Sequence, residues 1–296
     1  MKAALLADRG VVKVAGDGAR NFLQGLLTAD ILSLGPGQAR FSALLTPQGK
    51  IIADFIVAEA PAKDGGGFFL DIPRALGTSL VGRLNLYKLR AKVVVEDLSE
   101  ILGVLAAWDG RGTTSKGLCY ADPRLPALGL RVMLPQHLAA AAAAELGANL
   151  IDAGEYEAHR IALGVPKGGL DFGYADAFPH EADMDQLGGV DFDKGCYVGQ
   201  EVVSRMQHRG TARTRAIPVL YDGAAPESGI AVMASERSIG IMGSAADGHG
   251  IALLRLDRLA DALSRGERLR VGNVPIRVIK PDWARFDLPV ETKAAE

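Results

Sequence analysis

Lys194-Gly195-Cys196-Tyr197-Val198-Gly199-Gln200-Glu201 sits where the charge of the chain reverses and where its texture changes. The thirteen residues before it, Glu181 to Asp193, carry five acids (Glu181, Asp183, Asp185, Asp191, Asp193) and no lysine or arginine. From Lys194 to Arg215 there are five bases (Lys194, Arg205, Arg209, Arg213, Arg215) and one acid, Glu201. The octapeptide is composed as a reactive thiol would be. A cation close to a cysteine favours the thiolate, and Lys194 lies two positions from Cys196. Gly195 lets the backbone turn and approach a ligand closely. Gly199-Gln200-Glu201 starts a helix through Val202, Val203 and Met206. The dipole of that helix acts in the same sense on a sulfur placed just ahead of it. A second reading stays open: a buried cysteine in a glycine-rich turn, with the lysine pointing away.

The flanks of the octapeptide carry weaker signals. Arg205, His208, Arg209, Arg213 and Arg215 read as a clamp for an anion such as a phosphate or polyglutamate tail, or as a solvated strand edge; a nucleic-acid contact is the third and weakest reading, since the cluster is short and lacks interleaved aromatics. Asp183 and Asp185 lack a third ligand at a defensible metal spacing and read as a turn or helix cap. No His-Glu-x-x-His, Gly-x-Ser-x-Gly or phosphate-loop pattern occurs. Cys119 and Cys196 are the only cysteines, which excludes a disulfide framework and a zinc site of paired cysteines. So low a count fits a reducing compartment, here read as the cytoplasm.

Upstream of the octapeptide, helix and strand signals mix. Val11 to Val14 reads as a strand, and Asp17 as the cap of a helix through Phe22, Leu23, Leu26 and Leu27. Phe41 to Thr46 and Ile51 to Val57 read as a hairpin turning at Pro47-Gln48-Gly49-Lys50. Phe68 to Ile72 is a strand, and Gly65-Gly66-Gly67 ahead of it a hairpin tip. Pro73 opens a helix through Leu76, Leu80, Leu84 and Tyr87. Ala91 to Val95 and Ile101 to Ala107 are strands. Ala139 to Ala144 is a helix by propensity, and Glu155 to Leu163 another that ends at Gly164. The strands are too unevenly spaced for an alternating α/β fold, so the class is α+β. Downstream of about Arg213, six short strands separated by Gly, Asp, Pro and Asn point to a small barrel or sandwich, with one helix near Leu256 to Leu263. The domains expected are 1–211, an α+β region of two intertwined subdomains; 212–287, the β-barrel; and 288–296, a loose tail.

The bulk properties agree with a globular protein. The 296 residues are 48% hydrophobic and 23% charged, with a net charge of −2, so no global positive field attracts nucleic acid. The longest run without a charged side chain, Val132 to Ala144, is 13 residues. A membrane-crossing helix needs about 20. The N-terminal apolar run is too short for a signal peptide.

The octapeptide resembles the corresponding segment of the YgfZ-type folate-binding proteins. These are iron–sulfur cluster assembly and repair factors related to the glycine-cleavage aminomethyltransferase. The resemblance runs through 16–30, 45–55, 160–166, 178–182, 205–210, 240–244 and 252–255, and is poorest over 108–150. It implies a ring of three subdomains, ferredoxin-like and related α+β modules closed by a C-terminal β-barrel, around a hole that holds tetrahydrofolate or a one-carbon derivative. It implies Cys196 and Lys194 as the catalytic residues, with Gly195, Tyr197, Gly199, Gln200, Glu201 and Arg205 lining the folate. The implied partners are folate and iron–sulfur client or assembly proteins, with no membrane and no direct nucleic-acid contact. The alternative is an aminomethyltransferase-like enzyme that moves a one-carbon unit onto tetrahydrofolate. That chemistry needs an acid near the pterin, and Arg83-Leu84-Asn85-Leu86-Tyr87-Lys88 supplies none. Whether the protein turns over a substrate is left open by the sequence.

Overall fold

The computed structural model describes residues 1–210 and 212–288. It resolves into two compact units, each built from two stretches of chain: 1–156 with 187–201, and 157–186 with the described residues from 202 onward. The expected boundary falls on Thr211, which lies outside the described residues, as does the expected tail beyond Leu288. Leu288 itself is buried against the barrel core. The α+β class and the closed C-terminal barrel are both present.

The first unit has two five-stranded sheets. One runs in the order Ala39–Leu45, Ile51–Glu59, Phe68–Pro73, Arg9–Ala15, Val94–Asp97, and all of its pairings are antiparallel. Alternation sends Val12 and Val14 to one face, where they meet Phe55, Val57, Leu70 and Ile72. Helices Ala19–Gln24 and Gly77–Lys88 close that face with Leu23, Leu80 and Leu84. Each large aliphatic side chain buried there contributes about 1.5–3 kcal/mol. The other sheet runs Asn149–Leu150, Lys2–Leu6, Leu102–Trp108, Leu130–Pro135, Leu118–Ala121, and helix Ala139–Glu145 packs its alanines against it.

A buried charge cluster ties the two sheets together. Asp71 of the first sheet accepts from Arg9 and Arg131, both at 2.6 Å, and Arg131 of the second sheet also holds Asp122 at 2.8 Å. Burial alone would raise both carboxyls, but the arginines outweigh it and hold both below the ordinary carboxylate range.

In the second unit, strands Thr214–Tyr221, His249–Arg255, Arg237–Ala246, Ala231–Ala234, Leu269–Val271 and Val274–Val278 follow one another around a closed barrel. The period-two pattern sends Ile217, Val219 and Tyr221 inward, and helix Leu256–Ser264 adds Leu259 and Ala262 to the core.

Local departures from the sequence pattern have identifiable causes. Asp17 does not cap the first helix: Gly18 occupies that position and no side chain caps it. Pro73 ends a strand, and a 3-10 turn, Arg74–Leu76, precedes the helix. Ala91 lies before the strand Val94–Asp97 and packs on the core instead.

Candidate functional site

The octapeptide lies in a loop of the first unit that is fastened to the chain around residues 24–46. The fastening begins upstream, at Asp191. Its N–H donates to the Thr28 carbonyl at 2.9 Å, and its Oδ1 accepts from the N–H groups of Asp193 and Lys194 at 2.9 and 3.0 Å. This is the local turn that an aspartate side chain builds with the backbone following it. The Thr28 hydroxyl donates to the Gly189 carbonyl at 2.6 Å and accepts from the Ala43 N–H at 2.8 Å. Thr28 and Ser42 are both fully buried: Thr28 binds the Ala43 N–H of the first sheet's edge strand, and Ser42 of that strand accepts from the Ala29 N–H at 3.1 Å. The acids counted as a charge block therefore include one, Asp191, whose work is to shape the loop.

Lys194 follows, and its side chain is buried. Its ammonium donates to the carbonyls of Gln24, Leu27 and Ala29 at 2.8, 2.6 and 2.8 Å. An ammonium has three donor hydrogens, and all three are used. Burial pulls its pKa down to about 8, which still leaves the charged form dominant at pH 7. The Lys194 Nζ also lies 5.3 Å from the centroid of the buried Tyr197 ring. The Tyr197 hydroxyl is buried with no hydrogen-bond partner among the described residues, and burial pushes its pKa up to about 12.

Cys196 is exposed, and among the described residues its side chain has no hydrogen bond or ion pair. The lysine two positions before it thus spends its hydrogen-bonding capacity on the main chain. Cys119, in strand Leu118–Ala121, is half-buried, and burial raises its thiol pKa.

The glycines divide in a way spacing does not reveal. A side chain at Gly195 would meet no atom within 4 Å. At Gly199 the backbone is left-handed, with φ +84°, and a Cβ would stand 2.6 Å from the Thr46 carbonyl oxygen. Only glycine fits there, where the loop presses on the hairpin between Ala39–Leu45 and Ile51–Glu59. Val198 packs on the core of the first sheet. Gln200 begins the helix Gln200–Arg209, four positions after Cys196, and Glu201 and Arg205 are exposed on it.

The basic cluster does not act as one body. Arg205, His208, Arg209 and Arg213 are exposed, while Arg215 is buried. The Arg215 guanidinium forks onto Asp185 at 3.0 and 2.9 Å, donates to Asp183 at 2.8 Å and to the His180 carbonyl at 2.9 Å, and lies 4.2 Å from the Phe286 ring centroid. Asp183 and Asp185 are therefore ion-pair partners of Arg215 rather than turn caps. Burial would lower the Arg215 pKa, but the two carboxylates outweigh it and raise it.

Among the described residues, no group of three or more His, Cys, Asp or Glu is placed to hold a metal, and no helix is long and apolar enough to cross a membrane. A cavity of about 450 Å³ lies elsewhere in the first unit and includes neither Lys194 nor Cys196 in its wall.

Residues 213–286 match the family model of the CAF17 C-terminal beta-barrel domain. The chain is similar to curated proteins named mitochondrial iron–sulfur cluster assembly factor IBA57 or its homolog. The relative from Mycosarcoma maydis is 37% identical over 234 residues, covering 74% of this chain and 57% of its own length. The Pyricularia oryzae relative is 30% identical over 339 residues, covering 97% and 86%, and the Mus musculus protein 30% over 312 residues, covering 94% and 84%. Among solved structures, aminomethyltransferase T of the glycine cleavage system from Bartonella henselae superposes with a TM-score of 0.75 at 16% identity, over 99% of this chain and 88% of that one. At that identity the likeness is one of fold. The cytoplasmic assignment is overturned, because these relatives are named as mitochondrial proteins. A low cysteine count reports reducing conditions and does not say which compartment supplies them.

Proposed function

The chain belongs to the IBA57 family of iron–sulfur cluster assembly factors, and from that premise we propose that it supports the assembly or repair of iron–sulfur proteins with Cys196 as its working atom and a reduced folate as its ligand. The observation that carries this reading is the contrast within three residues: Lys194 buried and tied down by three main-chain bonds, Cys196 exposed. A thiol on a loop held this firmly keeps a fixed position without ordering cost when a partner arrives. Lys194 acts here as a positioning residue that holds the loop. Once ionised, the sulfur is a nucleophile or a donor to iron.

The support for a folate is the Tyr197 hydroxyl, buried and without a partner among the described residues. An orphaned buried hydroxyl is costly, and a polar ligand edge would satisfy it. Gly195, open on its surface side, and Gln200, Glu201 and Arg205 on the following helix are the residues proposed to line the ligand; Gly199 serves the close approach to Thr46. The partners proposed are iron–sulfur client or assembly proteins. The transferase alternative has only the likeness of fold on its side.

The direct test compares the two thiols. Cys196 should alkylate at least about tenfold faster than Cys119 at pH 7, read by mass spectrometry, since Cys119 is half-buried with a raised pKa. Cys196→Ala should melt as the parent does yet fail to restore iron–sulfur enzyme activity in a strain lacking the protein. Full restoration would remove the thiol from the function. Tetrahydrofolate at about 100 times its Kd should stabilise the fold by about 2.7 kcal/mol. No shift in melting at millimolar ligand would remove folate.

A further inference from the structure

The 450 Å³ cavity of the first unit has a composition that nothing in the thiol site explains. It opens between the two sheets of that unit, and cross-strand pairs build its walls. Lys13 pairs with Phe69 in the first sheet. Leu118 pairs with Met133, and Leu102 with Pro135, in the second. The floor is therefore aliphatic and aromatic, with Phe69 and Met133 buried. Ile101 stands in the wall with 64% of its surface exposed, an aliphatic side chain with nothing covering it. The volume lies within the roughly 300–1,000 Å³ of small-molecule sites, which are apolar with a few placed polar groups.

The charged groups in the wall are three lysines, Lys13, Lys63 and Lys116, against one acid, Asp64. Lys13 already donates to the Asp64 carbonyl at 2.5 Å, and Lys116 is paired with Glu145 at 3.1 Å. Lys63, exposed on the 3-10 turn Ala62–Asp64, has no ion pair among the described residues. The carbonyl bond leaves the Lys13 charge uncancelled, so Lys13 and Lys63 set against the Asp64 carboxylate leave one net positive charge beside an apolar floor. A net charge of one is matched by a single carboxylate, whereas a phosphate dianion would leave a negative charge uncompensated.

We propose that this cavity binds a small monocarboxylate with an apolar body, the carboxylate at Lys63 and the body against Phe69, Met133 and Ile101. The site is independent of Cys196 and of the function proposed for it, and its test does not depend on either. Octanoate and 1-octanol have the same body and differ in the charged head. In a saturation-transfer NMR titration of the full chain, octanoate should bind at least about tenfold more tightly than 1-octanol. Lys63→Glu, at an exposed position, should weaken octanoate at least about fivefold and leave 1-octanol unchanged. Ile101→Glu, also exposed, should abolish binding of both without moving the melting temperature. The proposal is overturned if octanoate does not bind at millimolar concentration. Equal affinities for acid and alcohol overturn it too, as does an indifferent Lys63→Glu. Retention of both ligands by Ile101→Glu would put the binding somewhere else and equally end the proposal.

Discussion

Two buried cations, one in each unit, are held by different chemistry. Lys194 is surrounded by neutral acceptors, the carbonyls of Gln24, Leu27 and Ala29. Arg215 is held by the carboxylates of Asp183 and Asp185. Carbonyls orient a cation but do not cancel its charge, so burial drags the lysine pKa down to about 8. Carboxylates cancel it, and the arginine pKa rises despite burial. The first arrangement fastens a loop to backbone. The second neutralises charges inside a packed unit, at positions 183–185 and 215 far apart in sequence. A cation on carbonyls is therefore the weaker anchor and the one sensitive to pH.

The largest expected effect breaks the carboxylate side of the comparison. Arg215→Met leaves two buried acids without their counter-ion and should cost about 3–5 kcal/mol in urea unfolding. Arg215→Lys, which lacks the planar fork, should recover only part of that. A loss under about 1 kcal/mol would mean the pair is hydrated rather than buried. Next comes Lys194→Met. It leaves three carbonyls without their donor and should cost about 1–3 kcal/mol. Cys196 alkylation in native Lys194→Met should change less than about twofold, because all three ammonium hydrogens go to main-chain carbonyls and none is left for the sulfur. A fall of tenfold or more would restore Lys194 as the activating cation.

The smallest effect for each step is in pH, at most about 1.4 kcal/mol per pH unit. The folded pKa of Lys194, about 8, lies below its ordinary 10.5, so the unfolded chain holds that proton more tightly. Stability should therefore rise as pH climbs from about 8 to 10.5, and the rise should vanish in Lys194→Met, measured by urea midpoints. Arg215 stays charged throughout that window and contributes no such slope. A fall in stability across the same range would show that the three carbonyl bonds outweigh burial.

Much of the fold is legible in the amino-acid order. Ile217, Val219 and Tyr221 fall at period two on the core face, and the turn residues between the short strands point to a small barrel or sandwich. The strands missed were those whose local pattern says little. Lys2–Leu6 reads as helix-friendly residues and becomes a strand by pairing with Leu102–Trp108. Leu130–Pro135 is buried on both faces, Arg131 included, and shows no polar–apolar alternation on a solvent side. In the candidate site, the octapeptide was visible as a unit, but the roles within it were not. Nearness of Lys194 to Cys196 along the chain suggested activation, whereas the ammonium is spent on carbonyls about 165 residues away in sequence. Thr28, Ser42 and Asp191 carried no signal beyond the preference of Asp191 for local turns.

The amino-acid order alone determined the α+β class, a C-terminal part of short strands and the segment in which the thiol lies, because hydrophobic period, turn residues and charge are local properties. Only the tertiary structure decided that Lys194 is an anchor, that Gly199 rather than Gly195 is the glycine sterically required, and that Arg215 leaves the basic cluster for two acids. Those outcomes depend on which distant backbone and side-chain atoms come within three ångströms, and no local pattern encodes that distance.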